Sequence, residues 1–208
     1  MVSRLSTAVR AACAAVLVGG AALSGAARAE GFSAEVSYTS AYGPDAYGVS
    51  HLQLARGPDL EVGVMGVGGT QPGLLGTAAR TLAVGDRLTV RGEVQAGMLR
   101  VHGPTVGFTG GWRLALSPLD VVVSLGGLPG MGARGAAGVD APLPAGWTLA
   151  PRLTVETWAG RRDPALRAAI GVRKQSASGW WLGMEGSAGG RDVLHMGPGA
   201  ALSFGRSR

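Results

Sequence analysis

Residues 87–98 read RLTVRGEVQAGM, and the side chains of this stretch change character from one residue to the next. Apolar or small residues occupy the even positions from Leu88 to Met98, whereas the odd positions from Arg87 to Gln95 are charged or polar. Successive side chains of a β-strand point to opposite faces of a sheet. The period of two therefore predicts a strand with one apolar face and one polar face.

The same alternation recurs along the chain, between short clusters of Gly, Pro, Asp and Ser that are typical of turns. The pattern predicts about twelve strands, and the usual errors in strand boundaries leave a range of roughly ten to fourteen. The predicted strands are 32–40, 46–56, 59–68, 75–84, 86–97, 104–117, 120–127, 133–141, 147–158, 165–174, 180–188 and 193–204. No segment after residue 30 reads as a membrane-spanning helix, because Gly and Pro interrupt the longest uncharged ones.

The composition agrees with an all-β chain. Of the 208 residues 37 are Gly, and each Gly in a helix interior costs roughly 1 kcal/mol relative to Ala. The apolar fraction of 46% is too high, and the net charge of +6 too small, for a disordered chain. Long helices and disorder are therefore excluded, and a turn-rich domain with only 15% charged residues remains.

The N-terminal segment 1–29 predicts a secretory signal peptide. Arg4 and Arg10 precede an uncharged apolar stretch, 11–23, and small residues then lead to Ala27-Arg28-Ala29. This apolar stretch is shorter than the roughly 20 residues that a membrane anchor needs. We therefore expect cleavage before Glu30.

Removal of this segment leaves a single predicted domain, residues 30–208. The only cysteine, Cys13, lies in the removed part, so disulfides and thiol chemistry are excluded from the domain. Arg4, Arg10 and Arg28 are removed as well, which lowers the positive charge of the remaining chain. We therefore expect no nucleic-acid partner.

Two architectures can carry strands of this kind: a soluble sandwich or barrel with the apolar face inward, and a membrane barrel with that face outward. The polar face consists mainly of small residues besides its charges, which suits a narrow barrel interior. Exposed edge strands often carry Lys, which hinders their pairing with other chains, but this sequence has only one Lys, Lys174. An even number of strands also brings both termini to the same, periplasmic side.

These features predict a closed up-and-down antiparallel transmembrane β-barrel. The alternative is a secreted or periplasmic soluble β-sandwich or barrel that binds a ligand or partner. That alternative requires residues such as Leu153, Val155 and Ile170 to be buried under other parts of the protein.

The last predicted strand carries a further signal, because every second residue from Leu194 to Phe204 is apolar or small. This strand resembles the C-terminal targeting strand of bacterial outer-membrane β-barrel proteins, in which alternating apolar residues lead to a terminal aromatic residue. Here residues 205–208 follow the aromatic residue. The resemblance implies a location in the outer membrane of a Gram-negative-type envelope. It also implies outer-membrane lipid and the barrel-assembly machinery as partners, and it leaves the oligomeric state open.

In such a barrel the polar face lines the lumen. The charged residues that the alternation places on this inward face are Glu35, Arg87, Arg91, Glu93, Arg113, Arg152, Glu156, Arg167, Arg173 and Glu185. Opposite charges on neighbouring strands are expected to pair, which would stiffen the wall and largely close the channel. A small excess of Arg would favour anions in a pore that stays open. Trp147 and Trp180 each follow Gly at the start of a strand, and together with Phe204 they are predicted to lie at the membrane interface.

No catalytic site is predicted. His51 and His195 share the inward parity on the strands that flank the first one, but neither has a convincing Ser or acidic partner, and no Gly-x-Ser-x-Gly motif occurs. Scattered histidines without cysteine do not form a metal site, and no Gly-rich segment matches a nucleotide-binding loop, so no cofactor is expected. The predicted function is therefore non-enzymatic, a structural or narrow-pore role in passive transport.

Overall fold

The computed structural model describes residues 31–39, 47–55, 59–68, 72–100, 102–128, 132–158, 164–190 and 197–206. These residues form twelve strands and one short 3-10 turn, Pro144–Gly146. The strands are β1 (Gly31–Thr39), β2 (Tyr47–Ala55), β3 (Leu60–Val67), β4 (Gly73–Val84), β5 (Leu88–Leu99), β6 (Gly103–Leu116), β7 (Leu119–Leu128), β8 (Gly132–Leu143), β9 (Trp147–Trp158), β10 (Ala165–Gln175), β11 (Trp180–Gly190) and β12 (Gly197–Arg206). Within the described ranges, no helix is long and apolar enough to cross a membrane.

The sheet closes on itself. Each strand pairs antiparallel with its neighbours in the chain, and β1 also pairs with β12, from Phe32 opposite Arg206 to Thr39 opposite Gly199. Closure gives every described strand a partner on both sides, so that backbone N–H and C=O groups along the wall are paired. The prediction of a closed up-and-down antiparallel barrel with about twelve strands is confirmed. The predicted start of the last strand, at 193, lies outside the described residues.

The two ends of the barrel differ in their connections. One end, here called the terminal end, holds Gly31 and Arg206 and the short connections 56–59, 85–87, 117–118, 144–146 and 176–179. The opposite end, here called the loop end, holds the connections 40–46, 68–72, 100–102, 129–131, 159–164 and 191–196. The longest connections therefore occur at the loop end, although 100–102 and 129–131 at that end are as short as 85–87 at the terminal end.

The outer surface of the barrel is apolar. Large hydrophobic side chains alternate along the strands with buried or polar ones, and many of them are more than half exposed, among them Val106 (63%), Leu125 (67%) and Ile170 (63%). Leu153 and Val155, which the soluble alternative requires to be buried, are 52% and 47% exposed. The soluble interpretation is therefore wrong for this sheet, because its apolar face points away from the rest of the protein.

An aromatic side chain completes this surface where glycines leave gaps. Phe108 on β6 lies over Gly110 of its own strand and Gly92 of β5, since a Cβ built on these glycines would lie 3.0 Å and 3.8 Å from atoms of the Phe108 ring. Aromatic cover of strand glycines restores apolar contact that the missing side chains would otherwise provide. The outer wall is thereby smooth and apolar around β5 and β6.

We expect Ile170→Arg, near the middle of β10, to destabilise the barrel in a bilayer. Arginine on the lipid-facing surface costs about 2–4 kcal/mol at the bilayer midplane. The matched control is Ala177→Arg, which adds the same charge in the exposed turn that follows the same strand and should change stability little. Denaturant unfolding in lipid vesicles measures the stability of both variants, and equal stabilities would contradict a lipid-facing surface.

Candidate functional site

The lumen contains a cavity of about 580 Å³. Its lining comes from β1 to β3 and from β5 to β12, so it lies inside the barrel wall rather than on an outer surface. Both polar and charged side chains project into it, and they have the parity opposite to that of the apolar outer residues. This cavity is the candidate functional site, and the charges of the lumen in and around it fall into three paired clusters and a small unpaired set.

The first cluster, called the Glu93 cluster, joins β2, β3 and β5. The carboxylate of Glu93 is 3% exposed and accepts hydrogen bonds of 2.8 Å from the side-chain amides of Gln53 and Gln95. Arg91 Nη2 donates to Glu93 Oε2 at 2.9 Å and to Glu61 Oε2 at 2.8 Å. A buried carboxylate needs such partners, because burying a charge without them is costly. The cluster therefore holds three strands together across the lumen face.

One predicted candidate, His51, belongs to the packing around this cluster. His51 Nε2 lies 3.9 Å from Glu93 Oε1 and 3.3 Å from Thr77 Oγ1. The other candidate, His195, lies outside the described residues. The described residues contain no group of three or more His, Cys, Asp or Glu side chains that would hold a metal ion. The contacts of His51 are thus those of a side chain in a polar network.

The second cluster, called the Asp140 cluster, joins β6 to β9. The guanidinium groups of Arg113 and Arg152 both donate to the carboxylate of Asp140. Arg113 Nε also lies 3.0 Å from Asp120 Oδ2, near the terminal end. The contacts run from Asp120 through Arg113 and Asp140 to Arg152, so that two arginines and two aspartates of four neighbouring strands balance one another.

The third cluster, called the Glu156 cluster, joins β8 to β11. Glu156 Oε1 lies 3.5 Å from Arg134 Nε, and Glu156 Oε2 lies 3.8 Å from Arg167 Nε. Glu156 and Arg167 are each 4% exposed, and Arg167 Nη1 also donates to Ser187 Oγ at 3.4 Å. The pairing brings two deeply buried opposite charges together in the part of the wall opposite the Glu93 cluster, although Glu156 Oε2 and Arg167 Nε, 3.8 Å apart, are too distant for a hydrogen bond.

Three lumen charges stay outside these clusters. Glu35 on β1, Arg173 on β10 and Glu185 on β11 all line the cavity, and none forms an ion pair with a described residue. Gly171 makes room for one of them, because a Cβ built on Gly171 would lie 3.7 Å from Glu185 Oε2. These three side chains are therefore the charges most available to a solute inside the barrel.

The loop end of the lumen is narrowed by apolar side chains on one side. Leu75 and Leu99 occupy positions that face the lumen, and they are 0% and 1% exposed. The apolar cluster that they form consists of Met65, Val67, Leu75 and Leu99, with Val49 and Leu128 packed against it. The sequence signal for it is a pair of adjacent apolar residues, as in Leu74-Leu75, where both faces of the strand are apolar. Sequence reasoning missed this cluster because an alternating pattern assigns only one face to apolar residues.

A glycine allows this cluster to extend across β6. A Cβ built on Gly107 would lie 2.9 Å from Leu128 Cγ, so a larger residue there would displace the Leu128 side chain. The glycine on β6 lets Leu128 of β7 reach the cluster formed by β3 to β5. The apolar side chains thus cover the wall from β2 to β7 at the loop end.

The structure places most of the predicted lumen residues on the inner face. Glu35, Arg152, Glu156, Arg167, Arg173 and Glu185 line the cavity, while Arg91, Glu93 and Arg113 take part in the clusters. Arg87 is a correction: it lies exposed in the turn 85–87 at the terminal end, because β5 begins one residue later, at Leu88. Four inward charges that the sequence did not single out are Glu61, Asp120, Arg134 and Asp140.

These changes alter the charge balance of the lumen. The inward charges of the described strands are Arg91, Arg113, Arg134, Arg152, Arg167 and Arg173 against Glu35, Glu61, Glu93, Asp120, Asp140, Glu156 and Glu185. The small excess of Arg expected from the sequence is therefore absent among the described residues. A preference for anions loses its basis, because arginines and carboxylates nearly cancel.

The predicted interface aromatics lie on the outer surface at the terminal end. Trp147 and Trp180 begin β9 and β11, Phe204 lies near the end of β12, and all three are more than 40% exposed. The ring of Phe32 on β1 contacts two neighbours, with centroids 5.4 Å from Trp180 and 6.2 Å from Phe204, both in edge-to-face geometry. The aromatics form a group at one end of the outer wall, and their position relative to a bilayer stays a prediction.

A closed barrel with an apolar outside and a charged lumen is the architecture of outer-membrane β-barrel proteins. No protein-family model matches the chain, and no curated protein matches it by sequence.

Solved porin structures share the fold. The KdgM porin superposes with a TM-score of 0.63 at 8% identity, over 85% of this chain and 99% of that one. The KdgM porin in complex with disordered oligogalacturonate superposes with a TM-score of 0.61 at 8% identity, over 85% of this chain and 99% of that one. The NanC porin superposes with a TM-score of 0.60 at 11% identity, over 85% of this chain and 100% of that one. The chain is similar to these porins in fold over nearly their whole length.

We expect the two carboxylates that Arg91 binds in the Glu93 cluster to differ in their contribution to stability, because one is buried and the other is half-exposed. We expect Glu93→Ala to cost about 3–5 kcal/mol, since it leaves buried partners without their acceptor. Glu61→Ala removes the other carboxylate from the same arginine and should cost about 1 kcal/mol or less. Denaturant titration of the folded barrel in detergent micelles measures the free energy of unfolding of both variants. Equal losses of stability would show that burial of Glu93 is not what stabilises the wall.

Proposed function

We propose that this protein is a non-catalytic integral outer-membrane barrel that provides a narrow, passive route for small polar solutes. The observation that carries the proposal is the charged cavity enclosed by a wall whose outer surface is apolar. Such a wall is stable in a bilayer because its backbone groups are paired and its polar side chains face inward. The porin fold of the solved structures supports the same role.

The solute class that we infer is small and either uncharged or weakly cationic. Most arginines of the lumen are held in ion pairs, and the three charges outside the clusters are Glu35, Arg173 and Glu185. One structural relative has been solved with oligogalacturonate, a chain of acidic sugars. A lumen with nearly balanced charge offers no comparable attraction to a polyanion, since selectivity follows the charges that line a pore.

The proposal includes the route to the membrane. Residues 1–29 would direct export and be removed before Glu30, and β12 would be recognised by the barrel-assembly machinery. The alternation of β12 up to Phe204 supports this step, because the outward side chains Leu202 and Phe204 are exposed on the barrel surface. Mass spectrometry of the mature protein from the membrane fraction would test the cleavage position.

Channel recordings in planar bilayers test conduction. We expect small step currents from the wild-type protein and larger ones from Arg152→Ala, because the Arg152 side chain occupies the cavity. The control is Leu153→Ala, the next residue along β9, which changes the outer surface and should leave the current unchanged. Asp140 keeps Arg113 as a partner in the Arg152→Ala variant, which favours normal folding.

A folded barrel that gives no current, with or without Arg152, would contradict the pore and favour a purely structural role. The ion pairs and the apolar cluster are the features that would close the lumen in that case.

Reversal potentials under a KCl gradient test the charge preference. We expect little or no preference for anions in the wild-type pore. The double variant Glu35→Gln/Glu185→Gln should shift selectivity toward chloride, because it removes carboxylates without removing an ion pair. Arg173→Gln is the control of opposite sign and should shift selectivity toward potassium. A strongly anion-selective wild-type pore would refute the inferred solute class.

A further inference from the structure

The outer face of the described strands carries very few charges, and all of them are positive. Outward positions are those that alternate with the lumen-lining residues, and nearly all hold apolar or small side chains. The charged ones are Arg80 on β4, Lys174 on β10 and Arg206 on β12. All three lie toward the terminal end, since Arg80 pairs with Leu60 at the start of β3, and the other two are at or next to the ends of their strands.

One of these cations already has an acidic partner. Arg80 Nε lies 3.1 Å from Asp59 Oδ2, in the connection between β2 and β3. Lys174 and Arg206 form no ion pair with a described residue. Their positive charges are therefore available to an external anion, whereas the charge of Arg80 is largely balanced.

Both available cations are held against tryptophan rings. Lys174 Nζ lies 5.2 Å from the ring centroid of Trp147, its register partner on β9, and also donates to the carbonyl of Ala145. Arg206 lies 5.9 Å from the ring of Trp180, its register partner on β11. Contacts of this kind hold a cation over an aromatic face, because the positive charge is attracted by the electron-rich face of the ring. They position both charges at the level of the exposed tryptophans.

The two cation–tryptophan pairs belong to one continuous surface. Phe32 on β1 joins the second pair through its contact with Trp180, and Phe204 lies beside Phe32. This surface, called the basic aromatic belt, runs from β9 through β12 to β1 and consists of Trp147, Lys174, Trp180, Arg206, Phe204 and Phe32. Exposed aromatic rings beside unpaired cations match a membrane interface, where rings lie at headgroup level and cations meet phosphate.

We propose that the basic aromatic belt binds the headgroup phosphate of anionic phospholipid, of the phosphatidylglycerol type. The inference rests on the proposed insertion in a membrane but not on conduction. Short connections and both ends of the described chain, Gly31 and Arg206, lie at this end, and in outer-membrane barrels such an end faces the periplasm and therefore the phospholipid leaflet. The rings supply the apolar contact with the acyl boundary, and Lys174 and Arg206 supply the charge.

Electron spin resonance with spin-labelled lipids tests the proposal on the full-length folded barrel in phosphatidylcholine vesicles. The quantity measured is the association constant of spin-labelled phosphatidylglycerol relative to phosphatidylcholine. We expect the wild type to prefer phosphatidylglycerol, and each of Lys174→Gln and Arg206→Gln to lower that preference by up to roughly fivefold. High salt should also lower it, because ions screen exposed charges.

The matched control is Arg173→Gln. It removes the same charge from the residue next to Lys174, but on the lumen face, so it should leave the lipid preference unchanged. The conservative double variant Lys174→Arg/Arg206→Lys should retain the preference. An equal loss of the lipid preference in Arg173→Gln would show that the effect depends only on net charge and would overturn the proposal. A wild type without any preference for phosphatidylglycerol would overturn it as well.

Insertion is measured separately, by flotation with the vesicles and by the heat-dependent shift of the folded band on a gel. A variant or wild type that fails to float contradicts the membrane location itself. An inserted, heat-shifted barrel that lacks lipid preference contradicts only the belt, and channel currents from that same barrel would leave the proposed pore standing.

Discussion

The pairing of β1 with β12 is the constraint on which the rest of the structure depends. It joins Phe32–Thr39 to Gly199–Arg206, the two extremes of the described chain, and thereby removes both open edges of a twelve-strand sheet. An open edge in hydrocarbon would leave a row of backbone groups without partners, at several kcal/mol for each group. Because the sheet closes, its outer face can be almost entirely apolar and most of its polar side chains share a narrow interior.

That interior determines how the charges are arranged. Glu93 and Glu156 are almost completely buried: Glu93 accepts hydrogen bonds from β2 and from its own strand, whereas Glu156 lies between arginines of β8 and β10. A narrow wall leaves little space for such side chains, and glycines provide it where a neighbour crosses the sheet, as Leu128 does at Gly107 and Glu185 near Gly171. The many glycines of the chain thus serve the packing of the lumen as well as the turns.

The two ends of the barrel have different chemistry. At the loop end, inward apolar side chains around Leu75 and Leu99 narrow the lumen. At the terminal end, the outer surface combines exposed tryptophans with Lys174 and Arg206. The lumen between them carries paired charges and a small unpaired set with Glu35 and Glu185. The proposed passage of solute and the proposed contact with lipid thus lie on opposite faces of the same strands.

The strands and their two faces follow from the amino-acid sequence alone, because alternation is a local property that stretches such as 87–98 display without reference to the rest of the chain. It also placed Glu93 and Arg152 on the polar face. Which charges meet becomes visible only in the folded barrel, where Arg134 on β8 and Arg167 on β10 both approach Glu156 and where Arg87 lies in a turn. The reason is that the ion pairs, the apolar cluster and the basic aromatic belt depend on the register between different strands, which the alternation within one strand does not specify.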